Sequence, residues 1–210
     1  NFIEHLSGDL QRPLGKLVDM ISGEDCSRHK EAVSLAEWLR RTVNKVISVA
    51  ALQQEVDEMY LHSIRMDVMI REIVQALQDE IDRRQILVQY EFPEAIKPFD
   101  GNQDIIHTIM DEVICNAIVY NRIGGSLRIL INQDSQFCHI TIADTGIGIR
   151  KDDLDKVFER FYRAGTSHDL YNRGAGLGLY IVRNFIEAYG GSISLSSIQE
   201  KGTEVSLSFP

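Results

Sequence analysis

The chain has 210 residues, 44% of them hydrophobic and 25% charged, an ordinary composition for a water-soluble protein with one large core or two small ones. A formal net charge of -9 argues against nucleic acid as a partner, because gripping a phosphate backbone needs a dense basic surface. No run approaches the roughly 18 to 20 apolar residues that cross a bilayer, and no signal peptide opens the chain; the expectation is a cytoplasmic location with no membrane contact in this segment.

From the N-terminus, Ile3, Leu6, Leu10, Leu14, Leu17 and Ile21 recur at spacings of three and four, one stripe of an amphipathic helix. The polar run SGEDCS at 22–27 breaks it, and a second helical stripe follows over about 28–57 with Val33, Ala36, Leu39, Val43, Val46 and Ala50. Two long helices joined by a short polar turn form a hairpin whose stripe is half covered. It can be completed by a second copy, as a four-helix bundle, or by packing on the rest of the chain. The pattern begins abruptly at residue 1, which reads as a piece of something longer.

After about residue 60 helical periods alternate with runs of period two. The spacing predicts a helix over 67–84, a strand over 86–92 and a long helix over 103–120 with Ile106, Ile109, Met110, Val113 and Ala117 inward. Strands follow at 126–132 and 138–144, then a helix over about 174–189. A last hairpin, SISLSS and TEVSLSF, turns around Glu200 to Gly202. This mixture predicts an α+β fold: the helical hairpin, then an α/β sandwich with a mixed sheet and helices on one face. Cys26, Cys115 and Cys138 form no CxxC pair and read as reduced core residues. His107, His139 and His168 lack metal-ligand spacing.

Three groups of residues carry chemistry. Strand 138–144 ends at Asp144 and runs into TGIG, so a carboxylate sits beside Gly146 and Gly148, where a backbone can approach closely. Such an Asp can accept from the exocyclic amine of a purine, although Asp-Thr-Gly is also a common turn. The run GAGLGL at 174–179 leads into a helix, so Gly174, Gly176, Leu177 and Gly178 present either unpaired N–H groups to phosphate or a structural turn. Upstream, Glu112, Asn116 and Tyr120 recur every four residues on one helix face. Asn116 offers a neutral oxygen to Mg²⁺ and Tyr120 a ring beside a base. Between the glycine runs, Phe158, Phe161 and Tyr162 suggest an anchored aromatic patch, followed by a polar loop.

In this order, EVICNAIVY, DTGIG, FERFYR, GAGLGL and GTEVSLSFP resemble the N, G1, F and G2 boxes and the closing strand of sensor histidine kinases, in the superfamily shared with gyrase, heat-shock-90 and mismatch-repair ATPases. The resemblance covers nearly the whole chain, with residues 1–58 similar to the dimerisation and histidine-phosphotransfer hairpin and 59–210 to the ATP-binding catalytic domain. It implies ATP and Mg²⁺ as cofactors, with Asn116 on the metal, Tyr120 against adenine, Asp144 on its amino group, Arg163 at the phosphates and the amides near Gly176 to Gly178 around them. It also implies a homodimer through the hairpin and, as partner, a response regulator receiver domain or another histidine kinase. The segment would then be the cytoplasmic part of a longer, membrane-bound sensor.

Three departures from the family pattern matter. Where the family reads Ser-His-Glu-Leu-Arg-Thr-Pro-Leu, this chain reads Ser7, Gly8, Asp9, Leu10, Gln11, Arg12, Pro13, Leu14, so Gly8 stands at the acceptor histidine. Glycine has no side chain to phosphorylate, Asp9 is a general base with no imidazole to serve, and Arg12 replaces the residue that positions water for dephosphorylation. His5, one turn earlier, is about 60° away around the helix. Second, Val119 replaces a common Lys, leaving Arg122 or Arg163 to supply a cation. Third, Glu112 replaces a common Asn, which is either a tolerated acid near the metal or a general base for water. The expected function is ATP-dependent signalling without phosphorylation at position 8; the alternatives are a kinase acting on a histidine elsewhere, an ATPase using Glu112, or a dimerising scaffold.

Overall fold

A computed structural model of the chain describes residues 62–160, 162–164 and 176–210. The expected N-terminal hairpin, with Gly8, Asp9 and Cys26, lies outside the described residues, as do Phe161, His168 and Gly174. Strand β1 (His62–Ile64) pairs antiparallel with β3 (Phe99–Gly101) in a small ribbon. Helices α1 (Met66–Ala76) and α2 (Gln78–Arg84) come next, then β2 (Leu87–Glu91). After the ribbon, α3 (Gln103–Val119) leads to the hairpin of β4 (Ser126–Gln133) and β5 (Cys138–Asp144). A 3-10 turn at Lys151–Asp153 precedes α4 (Gly178–Ala188) and the closing hairpin of β6 (Ser192–Ile198) and β7 (Gly202–Phe209).

The main sheet runs β2-β4-β5-β7-β6, with β2 parallel to β4 and the other pairs antiparallel. The mixed sheet expected from the sequence is therefore present. Strict alternation sends Leu127, Ile129 and Ile131 of β4, Cys138, Ile140 and Ile142 of β5, and Val205, Leu207 and Phe209 of β7 to one buried face. Asp144 has the same parity as Ile140 and Ile142, so its side chain leaves the sheet on the helix side. The opposite parity carries polar residues such as Thr141 and Ser206.

Helix α3 lies on that buried face, with Ile106, Ile109, Met110, Val113 and Ala117 buried as their spacing predicts. Its start is fixed by Asn102, whose side-chain oxygen accepts from the N–H groups of Asp104 at 3.1 Å and Ile105 at 3.2 Å, a cap that contributes about 1 kcal/mol. Helix α4 packs beside α3 through Ile181, Val182, Phe185 and Ile186.

One expectation needed correction, and one element was not foreseen. The single helix over 67–84 is divided at Leu77, where φ -102 and ψ 10 interrupt the helical path. The Leu77 carbonyl then accepts from Glu80 and Ile81 to start α2. The break is a local tightening: the Leu77 N–H donates to the Val74 carbonyl at 3.1 Å, an i to i−3 bond that ends α1, while α1 buries Ile70, Ile73 and Val74 and α2 buries Ile81. The β1–β3 ribbon was not foreseen, because each strand is three residues long, too short for an alternation to register. Cys138 is buried and Cys115 half-buried, and neither is in a disulfide. Burial pushes the Cys138 thiol up, opposed by a hydrogen bond with Gln133.

Candidate functional site

The β5 strand delivers Asp144 to the end of the sheet, where the chain must turn sharply. The Asp144 Oδ1 accepts from the Gly146 N–H at 2.7 Å and the Thr203 N–H of the neighbouring β7 at 3.3 Å. The other carboxylate oxygen, without a hydrogen bond among the described residues, is left for the cleft. Burial raises the Asp144 carboxyl above the usual carboxylate range, and the two backbone donors only partly oppose it.

The turn after Asp144 needs glycine for two reasons. A Cβ at Gly146 would stand 2.2 Å from the Tyr120 carbonyl oxygen, so the turn lies directly on the C-terminus of α3. Gly148 adopts φ 63 with its Cα against the Ile198 carbonyl, a conformation that L side chains rarely take. The Ile147 N–H donates to the Tyr120 carbonyl at 3.1 Å, fastening turn to helix. Asn121, buried, reinforces the same junction: its amide donates to the Ser126 carbonyl at 3.0 Å, and its oxygen accepts from Arg122 N–H at 3.0 Å.

One face of α3 supplies the opposite wall. Glu112 is buried at 5% exposure, Asn116 lies a turn later, and Tyr120 closes the helix at 37% exposure. Against them stands the first turn of α4. A Cβ at Gly178 would come within 2.5 Å of Glu112 Oε2, so the α4 backbone lies close against this carboxylate, and a side chain at position 178 would require Glu112 to move. Helix α4 has no side-chain cap hydrogen bond at Leu177, in contrast to α3, so its leading N–H groups are not satisfied by such a cap.

These elements enclose one cleft of about 170 Å³. It is lined by Glu112, Asn116, Tyr120, Asp144, Gly148, Arg163, Gly176, Leu177 and Gly178, nine of the residues singled out from the sequence. Gly146 does not line it and acts through the N–H that holds Asp144 and through its contact with Tyr120. Of the two candidate cations, Arg163 lines the cleft and Arg122 does not. Thr203, Ile142, Leu195 and Val205 also line the cleft and were not foreseen from the sequence; Ile142, Leu195 and Val205 form its apolar side with Val113 and Ala117. The β7 contribution becomes visible only through its pairing with β5, in which Ala143 faces Glu204. Among the described residues no group of three or more His, Cys, Asp or Glu could hold a metal; a divalent ion beside Asn116 would take its other ligands from water and a ligand's oxygens. His139 instead lies 3.2 Å from Asp134 in the β4–β5 turn.

A family model described as histidine kinase-, DNA gyrase B-, and HSP90-like ATPase matches residues 101–210, and the chain belongs to that family. Within it, the matched region is the ATPase-type catalytic domain of a two-component sensor histidine kinase. The chain is 39% identical over 111 residues to the sensor histidine kinase WalK of Bacillus subtilis (strain 168), covering 52% of this chain and 18% of WalK. It spans less than two thirds of the length of the curated relatives it matches. Full-length ShkA in complex with AMPPNP has the same fold, with a TM-score of 0.72 at 20% identity over 100% of this chain and 43% of ShkA. So has histidine kinase ThkA in complex with response regulator TrrA, with a TM-score of 0.70 at 17% identity over 100% of this chain and 59% of ThkA. Among the described residues no helix is long and apolar enough to cross a membrane.

Proposed function

We propose that the chain is the cytoplasmic kinase core of a two-component sensor, binding ATP with Mg²⁺ but unable to phosphorylate itself at the usual position. The observation that carries the nucleotide reading is the convergence of Asn116, Asp144 and the Gly176–Gly178 turn on one cleft. The residues fit the ligand. The cleft-facing oxygen of Asp144 accepts the adenine amino group, and Ile142, Val205 and Leu195 provide an apolar floor for the base. Tyr120 flanks it. The N-terminus of α4, where Leu177 supplies no side-chain cap, suits an anion, through its N–H groups and its dipole, with Arg163 adding charge-assisted hydrogen bonds. Asn116 holds Mg²⁺, whose bound form neutralises triphosphate charge. ShkA, of the same fold, has been seen with AMPPNP, in line with this assignment.

Residues 1–58 form the dimerising hairpin in this reading and 59–210 the catalytic domain. Gly8 leaves no imidazole where the acceptor belongs, and Asp9 has no proton to take. Signalling then runs through contacts: nucleotide biases how the catalytic domain docks on the bundle, and the homodimer engages a response regulator receiver domain or another histidine kinase. The ThkA complex with its response regulator TrrA supports that choice.

A second reading rests on Glu112. Its burial and closeness to the start of α4 support a carboxylate that stands beside the triphosphate and activates water. Incubation with γ-labelled ATP and Mg²⁺, following protein-bound label and free phosphate, separates the two. The first reading expects nucleotide binding with neither label nor release, and label appearing only in the Gly8→His variant. Label on the unmodified chain overturns it, and phosphate release lost on Glu112→Gln establishes the ATPase.

A further inference from the structure

After the DTGIG turn, residues 150–160 and 162–164 are fastened by side chains that none of the assignments above uses. Asp153 closes the 3-10 turn Lys151–Asp153 and is buried at 4% exposure. Its Oδ1 accepts from the Tyr162 hydroxyl at 2.7 Å and its Oδ2 from Arg150 Nε at 3.0 Å. Both oxygens are engaged and the charge is partnered, which a buried carboxylate requires. The Tyr162 hydroxyl first, and Arg150 second, hold the Asp153 carboxyl below the usual range; the same bond pushes the Tyr162 phenol up.

A second fastening lies two residues before Tyr162. The Arg160 guanidinium stands 4.7 Å over the Tyr180 ring and donates to its hydroxyl at 2.7 Å, joining this stretch to the first turn of α4. Tyr162, Arg163 and Ala164 all line the cleft. The ring of Tyr162 is therefore cleft wall while its hydroxyl is tied to a buried carboxylate outside the cleft lining. Arg163 is the next residue, and consecutive Cα atoms are only about 3.8 Å apart, so the anchored tyrosine limits where the arginine can stand.

We propose that the Asp153–Tyr162 hydrogen bond is a positioning device that keeps Arg163 at the phosphate end of the cleft, and so sets the preference for a triphosphate over the bare nucleoside. This rests on the ATP reading above. Tyr162→Phe keeps the ring in the wall and removes only the anchor. A merely structural role would weaken every ligand alike, whereas positioning of Arg163 is felt only by ligands that carry phosphate.

The test measures the affinities of Mg-ATP and of adenosine for the unmodified chain, Tyr162→Phe, Arg163→Ala and the double variant. The expected result is an ATP affinity lower by about tenfold in Tyr162→Phe, the loss of one charge-assisted contact, with adenosine binding unchanged. In the Arg163→Ala background the same replacement adds no further loss. Asp153→Asn, which retains an acceptor for the hydroxyl, preserves more ATP affinity than Asp153→Ala. Parallel loss of both ligands, no loss of either, an Arg163→Ala variant as tight as the parent, or an undiminished Tyr162 effect in the double variant each overturns the proposal. If the unmodified chain binds neither ligand, the ATP reading itself falls, and the positioning role with it.

Discussion

Replacing Asp144 by Asn is isosteric, and the surroundings of this carboxylate say what each of its two oxygens will feel. Oδ1 is committed to the amides of Gly146 and Thr203 at 2.7 and 3.3 Å, and an Asn oxygen satisfies both. The new NH₂ is then forced toward the cleft, where a donor meets the adenine amino group, itself a donor. One hydrogen bond to a charged acceptor is lost, which costs about 1.5 to 3 kcal/mol, or about tenfold to a hundredfold in ATP affinity. A guanine carbonyl would be better matched, so the ratio of ATP to GTP affinity should fall. The ligand-free fold should gain. Burial raises the Asp144 carboxyl above its ordinary value, so its contribution to stability is fully present below the unfolded pKa and is lost as pH rises through the folded one. At neutral pH the ionised carboxylate therefore weighs against folding, and the neutral amide does not. The variant should melt higher than the parent at neutral pH, with the gap closing as pH falls through the raised carboxyl range. Over the same range the parent should lose ATP affinity, because the protonated oxygen becomes a donor. Calorimetric titration with both nucleotides and thermal unfolding at neutral and mildly acidic pH read all of this. An Asn variant that binds ATP as tightly as the parent, or melts lower at neutral pH, would refute the reasoning.

Gly146→Ala should lower the melting temperature more than Gly124→Ala. The first places a Cβ 2.2 Å from the Tyr120 carbonyl, while Gly124 has a positive φ but nothing within 4 Å. Forced overpacking against backbone costs about 1 to 3 kcal/mol, against about 1 kcal/mol for the left-handed conformation alone; equal shifts would dismiss the contact as a constraint. Asn116→Ala should abolish the gain in ATP affinity that Mg²⁺ gives the parent while leaving Mg²⁺-free binding in place. A variant that keeps its Mg²⁺ dependence would show that the metal is held elsewhere.

Much of this site was legible because its parts obey local periodicities. The four-residue spacing of Glu112, Asn116 and Tyr120 needs only a helix to bring them onto one wall, and α3 has the inward residues its sequence foretold. The Asp144 strand end follows equally from alternation along CHITIAD. Illegible were the features set by pairing between distant segments. Thr203 holds Asp144 only because β7 adds antiparallel to β5 in one register, and no sequence spacing announces that register. The break at Leu77 was hidden because the apolar spacing of residues 67–84 is continuous with one helix, and nothing in that spacing marks the change of φ and ψ at Leu77. The Asp153–Tyr162 bond was likewise invisible, since a tyrosine in FERFYR reads as apolar patch until its hydroxyl is seen to have a partner.

The central claim is that a nucleoside triphosphate sits between the Asn116 helix and the two glycine turns. Amide chemical shifts of the isotope-labelled chain, followed while Mg²⁺ and a non-hydrolysable ATP analogue are added, test it most directly. The account expects saturable changes concentrated at Asn116, Tyr120, Asp144 to Gly148 and Gly176 to Gly178, with the outer sheet face around Thr141 and Ser206 unmoved. Absence of any saturable change, or changes gathered on a surface away from Asp144 and Gly178, would contradict it.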